Sequence, residues 1–184
     1  MSEYDFMLKR IRKLIIDVPD FPNPGITFKD ITPLLQDQSE LYSLMKTQAR
    51  WIKNNGRDFD KIVAIESRGF IFGSILAQLT GLPLVLARKA GKLPREVVHQ
   101  DYGLEYGSDR IEIHKDDIKP HEHILIVDDV LATGGTATAV ANIVDALEGK
   151  VAGFWFLMEI KELEGQDTLI NEIGVDADDI DIVL

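Results

Sequence analysis

The sequence predicts an α/β fold, with a mostly parallel central sheet flanked by helices. Two observations lead to this prediction. Short apolar runs of β type alternate with segments of helical periodicity between residues 61 and 158, which is the pattern of strand–helix–strand units. One of these apolar runs is followed directly by two carboxylates and a glycine-rich turn. A ligand in such a fold binds beyond the carboxyl ends of the strands.

The first part of the chain predicts two helices separated by an extended stretch. Apolar residues recur at near-helical spacing from Tyr4 to Ile16. Prolines between residues 19 and 24 then disfavour helix. The second helix is predicted from Ser39, as its N-cap, to Asn55, because Gly56 ends the apolar stripe.

The remaining elements alternate in type. The apolar runs predict strands at Lys61–Ile65, Pro83–Ala87, His123–Val127 and Val151–Met158, and helical periodicity predicts helices at 70–80 and 135–148. Between them, residues 88–108 are polar and contain three glycines. This stretch predicts a long loop, and loops of that length are usually functional lids or disordered.

Composition limits the class of protein. The chain has 184 residues, of which 45 % are hydrophobic and 28 % charged, so we expect a single domain spanning residues 1–184. It contains no cysteine, which favours a reducing cytoplasm. No run is long enough to span a membrane, and the N-terminus does not read as a signal peptide. The net charge of −11 argues against a nucleic-acid partner.

Two smaller features have more than one interpretation. The basic cluster, defined as Arg88, Lys89, Lys92 and Arg95, indicates either a local anion site or a solvated loop. The triplet 121–123, His-Glu-His, resembles a metal-binding pair, but without an evident third ligand it is better interpreted as the entry to a strand.

The segment from Ile124 to Thr136 contains the clearest candidate ligand-binding residues. Four apolar residues are followed by Asp128 and Asp129, and then by a turn made of Ala132, Thr133, Gly134, Gly135 and Thr136. Backbone N–H groups of such a turn, together with the following helix N-terminus, can bind a phosphate. The two carboxylates can accept hydrogen bonds from sugar hydroxyls. A phosphate beside two hydroxyls describes a ribose 5-phosphate.

Other interpretations of this turn fit less well. No lysine follows the paired glycines, so it is not a Walker motif. The sequence also lacks a G-x-G-x-x-G dinucleotide fingerprint. An acidic turn without any ligand would leave the combination of two carboxylates and a T-G-G-T turn unexplained.

The segment resembles the signature of the type I phosphoribosyltransferases. Four further segments are similar to the adenine-specific branch of that family: Phe21–Leu35, Glu66–Phe70, Arg88–Pro94 and Leu104–Gly107. The resemblance covers residues 19–158 and weakens after Glu159, where Gly165-Gln166 stands in place of an expected Gly-Arg pair. It implies the fold of that family, with a small N-terminal hood of residues 1–35 over the base site.

The resemblance also implies a reaction in purine salvage. Ribose 5-phosphate is transferred from phosphoribosyl pyrophosphate to adenine, giving AMP and pyrophosphate, with Mg²⁺ held mainly through the substrate. Asp128 and Asp129 would hold the ribose hydroxyls, and residues 132–136 the 5′-phosphate. Pyrophosphate would contact Ser67, Arg68, Arg88, Lys89 and Lys92.

Further roles follow from the same resemblance. Glu105 would move the proton that leaves the base. Ile26 and Phe28 would bind adenine, flanked by Arg68. The Arg88 equivalent in this family comes from the neighbouring subunit, which implies a homodimer, and residues 88–107 would form a flexible lid. Two alternatives stay open: transfer to hypoxanthine, xanthine or guanine, and a nucleotide-sensing regulator that binds nucleic acid, which the acidic charge disfavours.

Overall fold

The computed structural model describes residues 2–104 and 107–184, and the side chains of 104–108 are outside the description. The helices are α1 (Glu3–Arg12), α2 (Thr32–Gln36), α3 (Gln38–Asn54), α4 (Gly69–Thr80), α5 (Gly135–Ala146) and α6 (Gly165–Ile173). The strands are β1 (Ile16–Val18), β2 (Phe28–Asp30), β3 (Lys61–Ile65), β4 (Leu84–Lys89), β5 (Val97–Leu104), β6 (Gly107–His114), β7 (His123–Leu131), β8 (Lys150–Glu159) and β9 (Ile180–Ile182).

Seven strands form one twisted sheet in the order β5-β6-β4-β3-β7-β8-β9. Strands β4, β3, β7, β8 and β9 run parallel, and β6 joins β4 antiparallel. The predicted mostly parallel sheet with flanking helices is therefore confirmed. The central neighbours β3 and β7 end on the same edge, so the residues that follow them lie close together.

Strand β7 supplies alternate side chains to two cores, one on each sheet face. Ile124 and Ile126 pack towards α5, whereas Leu125 and Val127 pack towards α3 and α4. All four are fully buried, and each contributes about 1.5–3 kcal/mol by leaving water. Burial on both faces explains why this strand reads as a continuous apolar run.

Strand β8 follows the same alternation. Phe154 and Phe156 face the α5 core, and Trp155 faces the other core. The indole N–H of Trp155 donates to the side-chain carbonyl of Gln48 across 3.3 Å, which satisfies a buried donor inside an otherwise apolar layer.

Three predicted element boundaries are wrong by a few residues for physical reasons. Helix α3 begins at Gln38 because the side chain of Asp37, not Ser39, accepts a hydrogen bond from the Glu40 backbone and caps it. Strand β7 continues four residues beyond Val127, because it keeps pairing with β8 as far as Leu131. Helix α1 ends at Arg12, so that Ile16 belongs to a strand.

The predicted loop at 88–108 is also wrong in part. Residues 97–104 and 107–114 form the antiparallel hairpin β5–β6. Ile111 and Ile113 on β6 are buried in the α5 core. The hairpin is difficult to recognise in the sequence, because the side chains on the face opposite to these isoleucines are polar. An irregular turn, residues 90–96, remains between β4 and β5.

The triplet at 121–123 lies at the entry to β7. Glu122 forms an ion pair with Lys61, with 2.8 Å between oxygen and nitrogen. The imidazole Nδ1 of His123 lies 3.4 Å from a carboxylate oxygen of Asp60. These contacts join the N-terminal ends of β3 and β7. Within residues 2–104 and 107–184, no helix is long and apolar enough to cross a bilayer.

Candidate active site

An open cavity of about 550 Å³ lies at the carboxyl ends of β3 and β7. Its walls come from the N-terminal segment, the turn after β3, the end of β7 and the residue after β8. The lining residues are Ile26, Thr27, Phe28, Lys29, Glu66, Ser67, Arg68, Asp128, Asp129, Val130, Ala132 and Ile160. The structure thus brings together residues from three separate parts of the chain that the sequence predicts to be functional, and adds Ile160 from a fourth.

The two carboxylates belong to the consecutive residues Asp128 and Asp129, near the carboxyl end of β7. Asp129 is buried, with 3 % of its surface exposed, and Asp128 accepts a hydrogen bond from the Asp129 backbone N–H across 2.8 Å. Burial raises the pKa of Asp128 well above its usual value, and the negative charge of Asp129 raises it further. Burial also raises the pKa of Asp129, while Arg68 acts in the opposite direction.

Arg68 connects the two sides of the cavity. Its Nε lies 2.8 Å from a carboxylate oxygen of Asp129, and another guanidinium nitrogen donates to the Lys29 carbonyl across 2.9 Å. The guanidinium carbon lies 4.8 Å from the centre of the Phe28 ring, within the range of a cation–π contact. Arg68 thereby links the turn after β3 to β2 and to β7.

The start of α4 explains why Arg68 reaches Asp129. A side chain on Gly69 would meet the Val127 carbonyl at 2.8 Å and an Asp128 carboxylate oxygen at 2.9 Å. Only glycine lets the first turn of α4 pack this tightly against β7. Ser67, directly before Arg68, is exposed and lines the same cavity.

A smaller cavity of about 70 Å³ adjoins the first, and residues 132–136 line it. Gly134 has a φ of +85° and caps α5 without a side-chain hydrogen bond of its own, and the N–H of Gly135, the first residue of the helix, donates to the Thr133 hydroxyl across a long 3.4 Å. Such N–H groups and the helix dipole favour an anion. The hydroxyls of Thr133 and Thr136 border the same cavity. The predicted phosphate turn therefore lies next to the two carboxylates.

The N-terminal segment covers one side of the large cavity. The rings of Phe21 and Phe28 pack edge to face, with centroids 5.3 Å apart. The Ile26 backbone N–H donates to the Asn23 carbonyl across 3.2 Å, and its carbonyl accepts from the Phe21 N–H across 3.1 Å. A carbonyl has two lone pairs, so Ile26 retains one acceptor position.

The basic cluster lies among carboxylates. Three of its four cations are paired: Arg88 with Glu66 at 3.2 Å, Lys89 with Asp109 at 3.1 Å, and Arg95 with Asp117 at 2.8 Å. Arg88, Lys89 and Lys92 are not among the described residues that line either cavity. They border the turn 90–96 beside the β5–β6 hairpin.

Glu105, the predicted proton carrier, lies outside the described residues. Glu66 lines the large cavity, but the sequence reasoning assigned it no role. Its position could have indicated a place in the site, because Glu66 directly follows an apolar strand. Its carboxylate accepts from the Lys89 backbone N–H across 3.0 Å and faces Arg88. Ile160 also lines the cavity, and no polar motif marks it in the sequence.

Comparison with known proteins agrees with this geometry. Residues 35–172 match the phosphoribosyl transferase domain. An adenine phosphoribosyltransferase of Francisella philomiragia is 50 % identical over 159 residues, covering 86 % of this chain and 91 % of the relative.

Two solved structures share the fold. Adenine phosphoribosyltransferase from Thermoanaerobacter pseudethanolicus superposes with a TM-score of 0.88 at 43 % identity, over 96 % of this chain and 98 % of that one. The Saccharomyces cerevisiae enzyme, solved with adenine and an imino-altritol bisphosphate, gives a TM-score of 0.88 at 34 % identity, covering 98 % and 99 % of the two chains. On the combined evidence of site, sequence and fold, the chain belongs to the adenine phosphoribosyltransferases, a branch of the type I phosphoribosyltransferase family.

Proposed function

We propose that this enzyme transfers ribose 5-phosphate from phosphoribosyl pyrophosphate to adenine and releases AMP and pyrophosphate. The observation that carries the proposal is the adjacency of the Asp128–Asp129 pair to the helix-capping turn 132–136. The pair suits two neighbouring hydroxyls, and the turn suits a phosphate. Few metabolites other than a phosphorylated ribose present these groups together.

In this proposal, the ionised carboxylates accept hydrogen bonds from the ribose hydroxyls. Because Arg68 balances Asp129, the pair does not repel the neighbouring phosphate as strongly as two free carboxylates would. The 5′-phosphate is held by backbone N–H groups at the start of α5 and by the hydroxyls of Thr133 and Thr136. These contacts fix the sugar with its C1 atom facing the larger cavity.

Adenine occupies the large cavity beside the contacting side chains of Phe28 and Arg68. The cation–π geometry of these two side chains forms a platform for a flat aromatic base. The free lone pair on the Ile26 carbonyl can accept a hydrogen bond from the 6-amino group of adenine. A 6-oxopurine presents an oxygen there, and two acceptors facing one another repel. This contact is the proposed basis for choosing adenine.

Departure of pyrophosphate leaves positive charge on the sugar and strong negative charge on the leaving group. Ser67 and Arg68 lie at the cavity wall, where they can bind the pyrophosphate. Arg88 and Lys89 contribute once they separate from Glu66 and Asp109, and Lys92 contributes from the turn 90–96. Positioned cations and hydrogen-bond donors stabilise such developing charge.

The residues present fit Mg²⁺ only as a companion of the substrate. No group of three or more Asp, Glu or His side chains within residues 2–104 and 107–184 is placed to hold a metal. Pyrophosphate and ribose oxygens are the hard ligands that Mg²⁺ prefers, and Asp128 is one of the carboxylates that line the cavity and could add a contact. When bound, the ion would neutralise charge on the leaving group.

Three further parts of the proposal rest on the family. Glu105 takes the proton that adenine loses as it attacks the sugar. The enzyme works as a homodimer, which is supported by Leu84 and Leu86. These residues are 37 % and 36 % exposed and lie on the same face of β4 as Arg88. The compartment is the cytoplasm, in agreement with the absence of cysteine.

The experiment is to incubate the protein with phosphoribosyl pyrophosphate, Mg²⁺ and each purine base in turn, and to measure nucleotide and pyrophosphate. We expect AMP from adenine, and much slower nucleotide formation from hypoxanthine or guanine. Equal turnover of a 6-oxopurine would contradict the role of the Ile26 carbonyl. If no base gives a nucleotide, the proposed function is wrong.

A further inference from the structure

We infer that Gly165, at the start of α6, is a positioning residue for the 5′-phosphate turn. The inference rests on the proposed function for the identity of the ligand, but its evidence is the packing between two glycines. Gly165 is buried and lies outside the two cavities. Gly165 would pack against the side of the turn that faces away from the ligand.

The contact is too close for any side chain. A Cβ atom on Gly165 would stand 2.2 Å from the Ala132 carbonyl oxygen and 2.9 Å from the Leu131 side chain. Ordinary contact begins at 3.4 Å, so the first distance is 1.2 Å too short. The obstructing atom belongs to the backbone and cannot rotate away. Either α6 or the phosphate turn must therefore move by about an ångström.

The packing is reciprocal. A Cβ atom on Gly134, the residue that caps α5, would meet the Gly165 carbonyl at 2.9 Å and the Thr168 side chain at 3.0 Å. The chain just before α6 also holds the turn, because the Ile160 N–H donates to the Leu131 carbonyl across 2.8 Å. The segment 160–168 thus forms a backing surface for residues 131–134.

Helix stability does not explain glycine at this position. Gly165 is not in the left-handed region of φ, so an alanine there would bring no backbone strain. Alanine favours a helix interior over glycine by about 1 kcal/mol, although the benefit is smaller in the first turn. With α6 considered alone, alanine would be at least tolerated, so the close contact with Ala132 is the feature that requires glycine.

The backing surface matters because a phosphate cradle works only when its N–H groups are already in place. A displacement of about 1 Å in a binding group can cost about 100-fold in rate. Gly165 contacts neither ligand nor reacting atoms, so it acts through Ala132 and Gly134. This gives the C-terminal region, in which the family signature is weakest, a defined task in substrate binding.

The test compares Gly165→Ala with Gly174→Ala at the other end of the same helix. Gly174 has a φ of +77° and open space around it, so its substitution strains α6 without touching the phosphate turn. We expect Gly165→Ala to raise KM for phosphoribosyl pyrophosphate and Kd for ribose 5-phosphate by about ten- to 100-fold. Adenine binding, measured by calorimetry, should change by less than about two-fold. Gly174→Ala should lower the melting temperature and leave both ligands unaffected.

A second variant covers the case in which Gly165→Ala fails to fold. Thr168→Leu adds bulk against Gly134 from the next turn of α6 and should give the same loss of ribose 5-phosphate binding. Unchanged ribose 5-phosphate binding in a folded Gly165→Ala or Thr168→Leu protein overturns the inference. If the native enzyme binds ribose 5-phosphate but makes no AMP, the proposed function fails and the effect of Gly165 remains measurable.

Discussion

Arg88 is paired with Glu66 of its own chain, with its Nε 3.2 Å from the carboxylate. The guanidinium also lies 5.9 Å from the centre of the Phe70 ring. Glu66 directly follows the parallel strand β3, and Arg88 lies near the carboxyl end of its neighbour β4. The pair therefore joins the cavity wall to the turn 90–96. In the proposed homodimer, a pyrophosphate bound in the neighbouring subunit would compete with Glu66 for this cation, which ties substrate binding to the position of that turn.

The first prediction is that phosphoribosyl pyrophosphate with Mg²⁺ protects the turn 90–96 from trypsin. Lys92 and Arg95 are exposed in the structure, and we expect the free enzyme to be cleaved there first. Substrate would draw the cations towards the cavity and close the turn 90–96, the irregular part of the predicted lid 88–107, over it. Gel electrophoresis with mass spectrometry of the fragments identifies the cleavage sites.

Adenine alone is the control, because it brings no negative charge and should protect much less. The double variant Lys92→Gln with Arg95→Gln should lose the early fragments, which verifies the site of cleavage. Equal cleavage with and without the substrate would mean that the turn does not close.

The second prediction concerns the carboxylate pair. Hydrogen bonds to charged acceptors contribute about 1.5–3 kcal/mol, so Asp128→Asn and Asp129→Asn should each weaken AMP binding by about ten-fold or more. In the native enzyme, AMP binding should weaken as the pH falls through the raised pKa of Asp128, because the protonated acid is a poorer acceptor. Calorimetric titrations at several values between about pH 8 and about pH 5 measure the dependence of AMP affinity on pH.

The charge of Asp129 is one cause of the raised pKa of Asp128. In Asp129→Asn that charge is absent, so Asp128 stays ionised to lower pH. The pH at which binding weakens should therefore move downwards in this variant. The phosphate of AMP titrates identically in both proteins, so it cancels in the comparison. An unmoved midpoint would show that the two carboxyl groups do not interact as described.

The third prediction is that Glu105→Gln slows turnover and leaves KM nearly unchanged. On the proposed mechanism, Glu105 acts only while a proton moves, so its contribution belongs to the transition state. Steady-state kinetics for both substrates separates the two parameters. Full turnover in the variant would remove Glu105 from the mechanism and leave the binding roles of the other residues intact.

The fourth prediction is that Asp181→Asn stabilises the protein at neutral pH. Asp181 lies on β9 beside Trp155 of β8, and one of its carboxylate oxygens is buried without a hydrogen-bond partner. Burial raises its pKa to about 6, although Arg57 opposes the shift. Tyr4 faces the same carboxylate. At pH 7 the folded protein therefore carries a poorly solvated charge.

The direction of the change in stability follows because the pKa of Asp181 is higher in the folded chain than in the unfolded chain. The stability contributed by Asp181 is fully present below its ordinary pKa and is lost as the pH rises through about 6. The variant should gain about 2 kcal/mol in free energy of unfolding at pH 7.5 and almost nothing near pH 4. Urea denaturation measures the difference, and exposed Asp178→Asn is the matched control. Equal stability at pH 7.5 would contradict the prediction.

Elements with strong local signals could be predicted from the sequence. The predicted strand at Lys61–Ile65 has the bounds of β3, and Gly81 ends α4 in the left-handed conformation. The turn 132–136 and the Asp pair could be assigned to one ligand because they are contiguous. Their chemistry needed no knowledge of tertiary contacts.

Features that depend on distant partners could not be predicted. The β5–β6 hairpin has one polar face, and its buried face is evident only beside α5. The partners of Arg88, Lys89 and Arg95 come from the turn after β3, from β6 and from the turn after β6. No local pattern indicates the packing role of Gly165, because that role arises from a carbonyl 33 positions earlier in the chain, at Ala132.

The alternation of side chains along β7 constrains how this enzyme can evolve. Inserting or deleting one residue between Ile124 and Leu131 would exchange the side chains given to the two cores, or exchange the faces to which Asp128 and Asp129 point. Folding and catalysis would fail together. Changes of length should therefore be accepted in the surface connection 115–122 and rejected inside the strand. Across natural variants, the spacing from Ile124 to Gly134 should stay fixed while that connection drifts.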